Sequence, residues 1–197
     1  MASREQILDT AFKEFASKGI KEVSMDDIAS ALKISKKTLY DNFTSKDKLA
    51  VACTETYLDQ HSMKMNKLMK FMPNPLTALV FCLIEHVKFF HRMSEKYLAD
   101  VRKHPILGKK IAFIADDLKE KSSKTLHEAV EQGYVLRNED VEVVLGVVRE
   151  KINTLEDVKN SEDFSYKKSF NIVTTLLRGI CTPMGQQVLA ELKENYS

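Results

Sequence analysis

Between Lys33 and Lys48 the chain carries five lysines (Lys33, Lys36, Lys37, Lys46, Lys48) against Asp41 and Asp47, a local charge of +3 in a protein whose total is +2. Cations at this density, interleaved with Thr38 and Tyr40, suit a polyanionic partner. Lys36 and Lys37 can reach phosphates or base edges. Thr38 can donate to a phosphate or touch a thymine methyl. Tyr40 holds a rigid hydroxyl where a phosphate oxygen can accept from it. Lys46 falls at an expected helix start, where unpaired amides and the helix dipole also attract phosphate, and Ser24 stands at another such start. The opposing reading is a solvated face: lysines on short helices often meet only water, and Tyr40 can be a core-edge residue.

Other chemistries are poorly served. The three cysteines, Cys53, Cys82 and Cys181, are far apart and form no C-x-x-C, which argues against a disulfide framework or a Cys-rich zinc site and fits a reducing compartment. His86 and His91 are five residues apart, a poor spacing for one helical face, and Glu85 and His86, being adjacent, point in different directions. No H-E-x-x-H, P-loop or Gly-rich nucleotide signature occurs. No enzyme, metal or cofactor is expected. The composition, 44% hydrophobic and 29% charged, is that of a globular chain. The charged N-terminal stretch does not resemble a signal peptide, and no apolar run approaches the roughly 20 residues of a membrane span. A cytoplasmic protein with no membrane partner is expected.

The elements that must position the lysines are helices. Ile7, Leu8, Ala11, Phe12, Phe15 and Ala16 share one face, Ser3 and Gln6 form a capping box, and Gly19 suits a left-handed C-cap, giving a helix over 4–18. Ser24, with Asp26 and Asp27 in the first turn, starts a second helix that ends near Leu32. Ser35 caps a third of about two turns, with Leu39 and Phe43 inward. Ser45 caps a long helix over 46–71, which the Pro73-Asn74-Pro75 turn follows. Further helices are expected over 76–93, 95–103, 106–132 with Pro105 at its first position, 139–155 started at Asn138, 164–178, and 184–195. A polar loop with a cap-like Ser161 precedes the helix over 164–178. The fold class is all-α with about nine to ten helices, divided into residues 1–48 and 49–197.

Three short helices within about 45 residues, the second and third joined by a three- to four-residue turn, describe a helix-turn-helix, which sets its second helix in the DNA major groove. Residues 4–50 resemble the DNA-binding domain of the TetR/AcrR family of bacterial transcription regulators. The resemblance rests on Gly19, Ser24, Ile28-Ala29, Ile34-Ser35, Thr38-Leu39-Tyr40, Phe43, and Lys46 with Leu49. It covers a quarter of the chain. It implies that Ser35 to Phe43 is the recognition helix, that Lys36, Lys37 and Thr38 face the groove, and that Tyr40 and Lys46 contact phosphate. Two positions depart from the family pattern. Lys33 stands where Gly is usual, implying about 1–2 kcal/mol of left-handed strain or a different turn. Asn42 stands where His or an aromatic is common.

For the remaining residues the family resemblance implies a homodimer and a small-molecule site. A dimer also follows from geometry, since two recognition helices about 34–36 Å or more apart read a pseudo-palindromic operator. The expected contact is Val143, Val144, Val147 and Val148 on one helix with Phe170, Val173 and Leu177 on another, paired across a twofold as a four-helix bundle. The competing assignment is packing within the monomer. Candidate ligand-site residues are Met63, Phe81, Phe89, Phe90, Tyr97 and Phe113 as greasy walls, with His86 and His127 as polar groups; core filling is the competing role. The functional expectation is a ligand-responsive regulator, with a repressor preferred. The alternative is a helical dimer of the same fold acting through a protein partner, which would not need the charge of Lys36, Lys37 and Lys46.

Overall fold

The computed structural model describes residues 2–137, 140–154 and 162–195. Ten helices account for most of them: α1 (Arg4–Lys18), α2 (Met25–Leu32), α3 (Lys36–Asn42), α4 (Lys46–Met69), α5 (Pro75–His91), α6 (Glu95–Lys103), α7 (Leu107–Glu131), α8 (Val141–Thr154), α9 (Glu162–Arg178) and α10 (Pro183–Asn195). The Asn138 helix start and the Ser161 cap lie outside the described residues. The all-α expectation holds.

Serine caps fix the early helix starts. The Ser3 amide donates to Gln6 Oε1 at 2.7 Å and the Gln6 amide to Ser3 Oγ at 3.2 Å, the reciprocal pair expected for α1. Ser35 and Ser45 accept from the amides of Thr38 and Lys48. At the other end of α1, Gly19 has φ 98° and ψ 150°, a positive-φ extended shape and not the left-handed cap expected. The reason is tertiary: a Cβ there would lie 3.1 Å from Lys96 Cβ, so the chain passes close to α6. The Pro105 expectation also needs correction. Pro105 and Ile106 form a turn, and α7 begins at Leu107 because His104 Nδ1 accepts from the amides of Ile106 and Leu107.

Two compact units emerge, one of residues 1–64 with 92–115, the other of 65–91 with 116–197. The first is larger than the expected 1–48 segment because α6 packs on α1. The Ser94 amide donates to the Ala16 carbonyl at 2.7 Å, and Tyr97, only 1% exposed, meets Phe12 edge-on and hydrogen-bonds Thr54 Oγ1 at 2.7 Å. In the second unit α5 is the central post, with 13 of its 17 residues buried. Leu79, Leu83, Leu145, Val148, Val173 and Leu177 form its core. An antiparallel bridge, Val135 to Cys181, ties the turn after α7 to the turn before α10. No helix among the described residues is long and apolar enough to cross a membrane.

Candidate nucleic-acid interface

The turn that sets α3 begins with Lys33 in the left-handed region, φ 54° and ψ 41°. The amide of Lys33 donates to the Ser30 carbonyl at 3.1 Å and that of Ile34 to the Ala29 carbonyl at 3.0 Å. This pair is a Schellman motif, the ending that favours glycine at the position Lys33 holds. The family-like turn is therefore kept, and the strain anticipated for Lys33 is present.

Leu39, fully buried, and Phe43, 5% exposed, anchor α3 to the core beneath it. The Arg4 guanidinium lies 5.1 Å from the Phe43 ring centroid, tying the start of α1 to the end of α3. Two faces of α3 result. Lys36, Lys37 and Tyr40 are exposed, Tyr40 at 46%. Lys36 pairs with Asp26 of α2, whose hydrogen bond and charge hold the ammonium above the ordinary lysine range. Lys37 has no carboxylate partner among the described residues, so its charge is fully available to an anion.

The other expected contact residues carry structural duties as well. Ser35 Oγ and Thr38 Oγ1 share a 2.8 Å hydrogen bond at the helix start. The side-chain amide of Asn42, an exposed residue, donates back to the Thr38 carbonyl at 2.8 Å. Ser24 Oγ donates to Asp27 Oδ2 at 2.7 Å, and this hydrogen bond, with one from the Ser24 amide, holds the carboxyl below its ordinary range. A carboxylate thus already occupies the α2 start, which opposes phosphate there. Lys46 Nζ donates to the carbonyls of Lys21 (3.2 Å) and Val23 (3.0 Å), bracing the α1–α2 connection. Its third hydrogen remains for a phosphate. The Arg4–Phe43 contact and the bracing by Lys46 were not foreseen from sequence, because both depend on which helices meet.

The residues expected at a ligand site do not converge. Met63 and Phe113 are 72% and 65% exposed, and His127 is exposed with Nδ1 on the Ser123 carbonyl. Tyr97 belongs to the core of the first unit. His86, Phe89 and Phe90 are buried in the second unit, where the His86 and Phe90 rings stand 4.8 Å apart. Phe81 lines a cavity of about 30 Å³ bounded also by Met72, Thr77, Val80, Ile84, Glu85, Phe170 and Leu192. Of the residues expected at a dimer contact, Val148, Phe170, Val173 and Leu177 face the core of their own unit. Each helix must bury one face, and in α8 and α9 these residues form that face. Val144 packs half-buried against the same core, whereas Val143 and Val147 are 64% and 49% exposed.

A capped two-turn helix that follows a tight turn, rests on Leu39 and Phe43, and offers Lys36, Lys37 and Tyr40 to solvent is built to enter a major groove. These features define a helix-turn-helix DNA-binding regulator. Residues 7–53 match the family model of bacterial regulatory proteins, tetR family. The HTH-type transcriptional repressor KstR2 of Mycobacterium tuberculosis is 24% identical over 156 residues, covering 75% of this chain and 76% of that protein. A TetR-family regulator from Marinobacter aquaeolei superposes with a TM-score of 0.76 at 22% identity, over 100% of this chain and 99% of its own. FadR from Bacillus subtilis, solved with stearoyl-CoA, gives 0.64 at 20% identity, over 90% and 100%. The N-terminal quarter of the chain thus matches the tetR family model, and a DNA-binding regulator is supported over a module acting only through a protein partner.

Proposed function

We propose that the protein is a homodimeric repressor that binds a pseudo-palindromic operator through α3 and is released or modulated by a small molecule bound in the second unit; it acts by binding, without a catalytic step. The carrying observation is the exposed Lys36, Lys37 and Tyr40 face on a helix locked by Leu39, Ser35 and the Lys33 turn. Repression is favoured by the likeness to a named repressor. A second copy finds room on α8, where Val143 and Val147 are exposed and nothing lies within 4 Å of a Cβ placed on Gly146.

The effector expected is a partly apolar molecule, as is the stearoyl-CoA bound by FadR. The cavity beside Phe81, at about 30 Å³, holds a water or two but no such ligand. On this reading binding enlarges that void by parting α5 from α9 at Phe81 and Phe170. A ligand that favours this parted state shifts the equilibrium; one indifferent to it shifts nothing. α4 starts at the DNA-binding head and contributes its last five residues to the second unit, giving the change a covalent path.

Selection of bound duplex from a random pool tests the operator reading. A recovered inverted repeat supports it. Recovery of no enriched sequence, with no retention of any duplex in dilute buffer, defeats it.

A further inference from the structure

Within the first unit, residues 1–64 carry ten basic and ten acidic side chains and so contribute no net charge. Residues 92–115 carry six basic and two acidic ones, so the unit's +4 comes entirely from this later segment, while the second unit totals −2. The surplus is delivered beside the DNA-binding head. His104, at the corner between α6 and α7, accepts at Nδ1 from two backbone amides, which leaves the ring hydrogen on Nε2 to donate to Asp47 Oδ1 at 2.9 Å. Asp47 is the second residue of α4, next to Lys46. The corner's exposed cations, Arg102, Lys103 and Lys109, are thereby pinned near the α4 start.

Helix stability does not account for all of them. Arg102 and Lys103 lie in the last turn of α6, where the dipole favours positive charge. Lys109 lies in the first turn of α7, which has no acidic residue and where the dipole disfavours a cation. Lys110 is neutralised by Asp59 at 2.6 Å. Lys109 is thus a cation held at an unfavourable place with no carboxylate partner among the described residues.

We propose that the α6–α7 corner is a second DNA-backbone contact, with Lys103 and Lys109 on phosphates beyond those reached by α3 and the α4 start. This rests on the DNA-binding reading and adds a charged surface that chain order separates from the head. The test uses the full-length protein and a fluorescein-labelled duplex of random sequence, titrated by anisotropy across a range of salt. Each phosphate contact adds about 0.9 to the slope of log affinity against log salt, equivalent to about eightfold at 0.1 M. Lys103→Gln with Lys109→Gln is expected to lower the slope by about 1.8 per protomer and the affinity at 0.1 M by tens of fold. Its melting temperature should not fall. Lys119→Gln with Lys124→Gln, exposed cations of α7 in the second unit, should change neither slope nor affinity. An unchanged slope in the corner variant, or an equal loss in the α7 control, overturns the proposal. If the wild type does not bind at all, the DNA-binding reading falls with it. Loss on Lys36→Gln with Lys37→Gln, without loss in the corner variant, overturns the corner alone.

Discussion

Replacing Lys33 by glycine should stabilise the protein, although it removes a charge and a side chain. Lys33 sits at φ 54° and ψ 41°, where a Cβ crowds the following carbonyl at a cost of about 1–2 kcal/mol. Glycine avoids that cost but gains chain entropy when unfolded, which returns about 0.4–1 kcal/mol. The difference leaves Lys33→Gly more stable by about 0.5–1 kcal/mol, a rise of roughly 1–4 °C in a protein of this length. Lys33→Ala is the control: it removes the same charge and keeps the Cβ, so it should show no such rise. Lys33→Asn, tolerant of the left-handed region, should fall between. Thermal unfolding followed by far-ultraviolet circular dichroism reads all three. A glycine variant no more stable than the alanine one would refute the strain argument, whatever either does to DNA binding.

Lys46→Ala removes the donor shared by the Lys21 and Val23 carbonyls and should cost about 1–2 kcal/mol. It should also weaken binding to all duplexes alike and lower the salt slope by about 0.9; an altered sequence preference with an unchanged slope would contradict the phosphate role. Gly185→Ala should be severe, because a Cβ there would overlap the Tyr134 carbonyl oxygen and lie 3.1 Å from Cys181 Cβ. A loss of about 3 kcal/mol is expected in chemical denaturation, and wild-type stability would show that the α10 docking is described wrongly. Burial pushes the Cys53 thiol up to about 12 and those of Cys82 and Cys181 to about 11. In the unfolded chain these groups ionise near 8.5, so the native state binds more protons than the unfolded one at higher pH. The thiols should leave stability unchanged below about pH 8 and lower it progressively from about 9 to 12, and a melting temperature that rises over that alkaline window would reverse the sign.

Much of the architecture was legible because its signals are local. Ser3 with Gln6, and Ser24 with Asp26 and Asp27, place helix starts through bonds that span three residues. The apolar spacing of Ile7 to Ala16 gives the buried face of α1 directly. The Lys33 turn was legible only through the family resemblance, which left a strained turn or a different one open, and the left-handed φ of 54° decides for the first. The dimer and ligand residues were harder, since periodicity marks a buried face without saying what buries it. Val148, Phe170, Val173 and Leu177 carry the same pattern whether their neighbour is the same chain or another copy. Tyr97 and His86 were candidates by chemical type, and packing gave them core positions. The Lys46 bracing and the His104–Asp47 link join segments 25 and 57 residues apart, and no window along the chain contains both partners.

The docking of α6 on α1 has a consequence for synthesis. The DNA-binding head emerges from the ribosome before α6, so its floor at Ala16, Phe12 and Thr54 stays uncovered until Ser94 and Tyr97 have followed, after the whole of α5. A nascent or truncated chain ending before α6 would show Phe12 and Thr54 to water and to chaperones. Vectorial folding therefore completes the reading head only after residues of the second unit have been made.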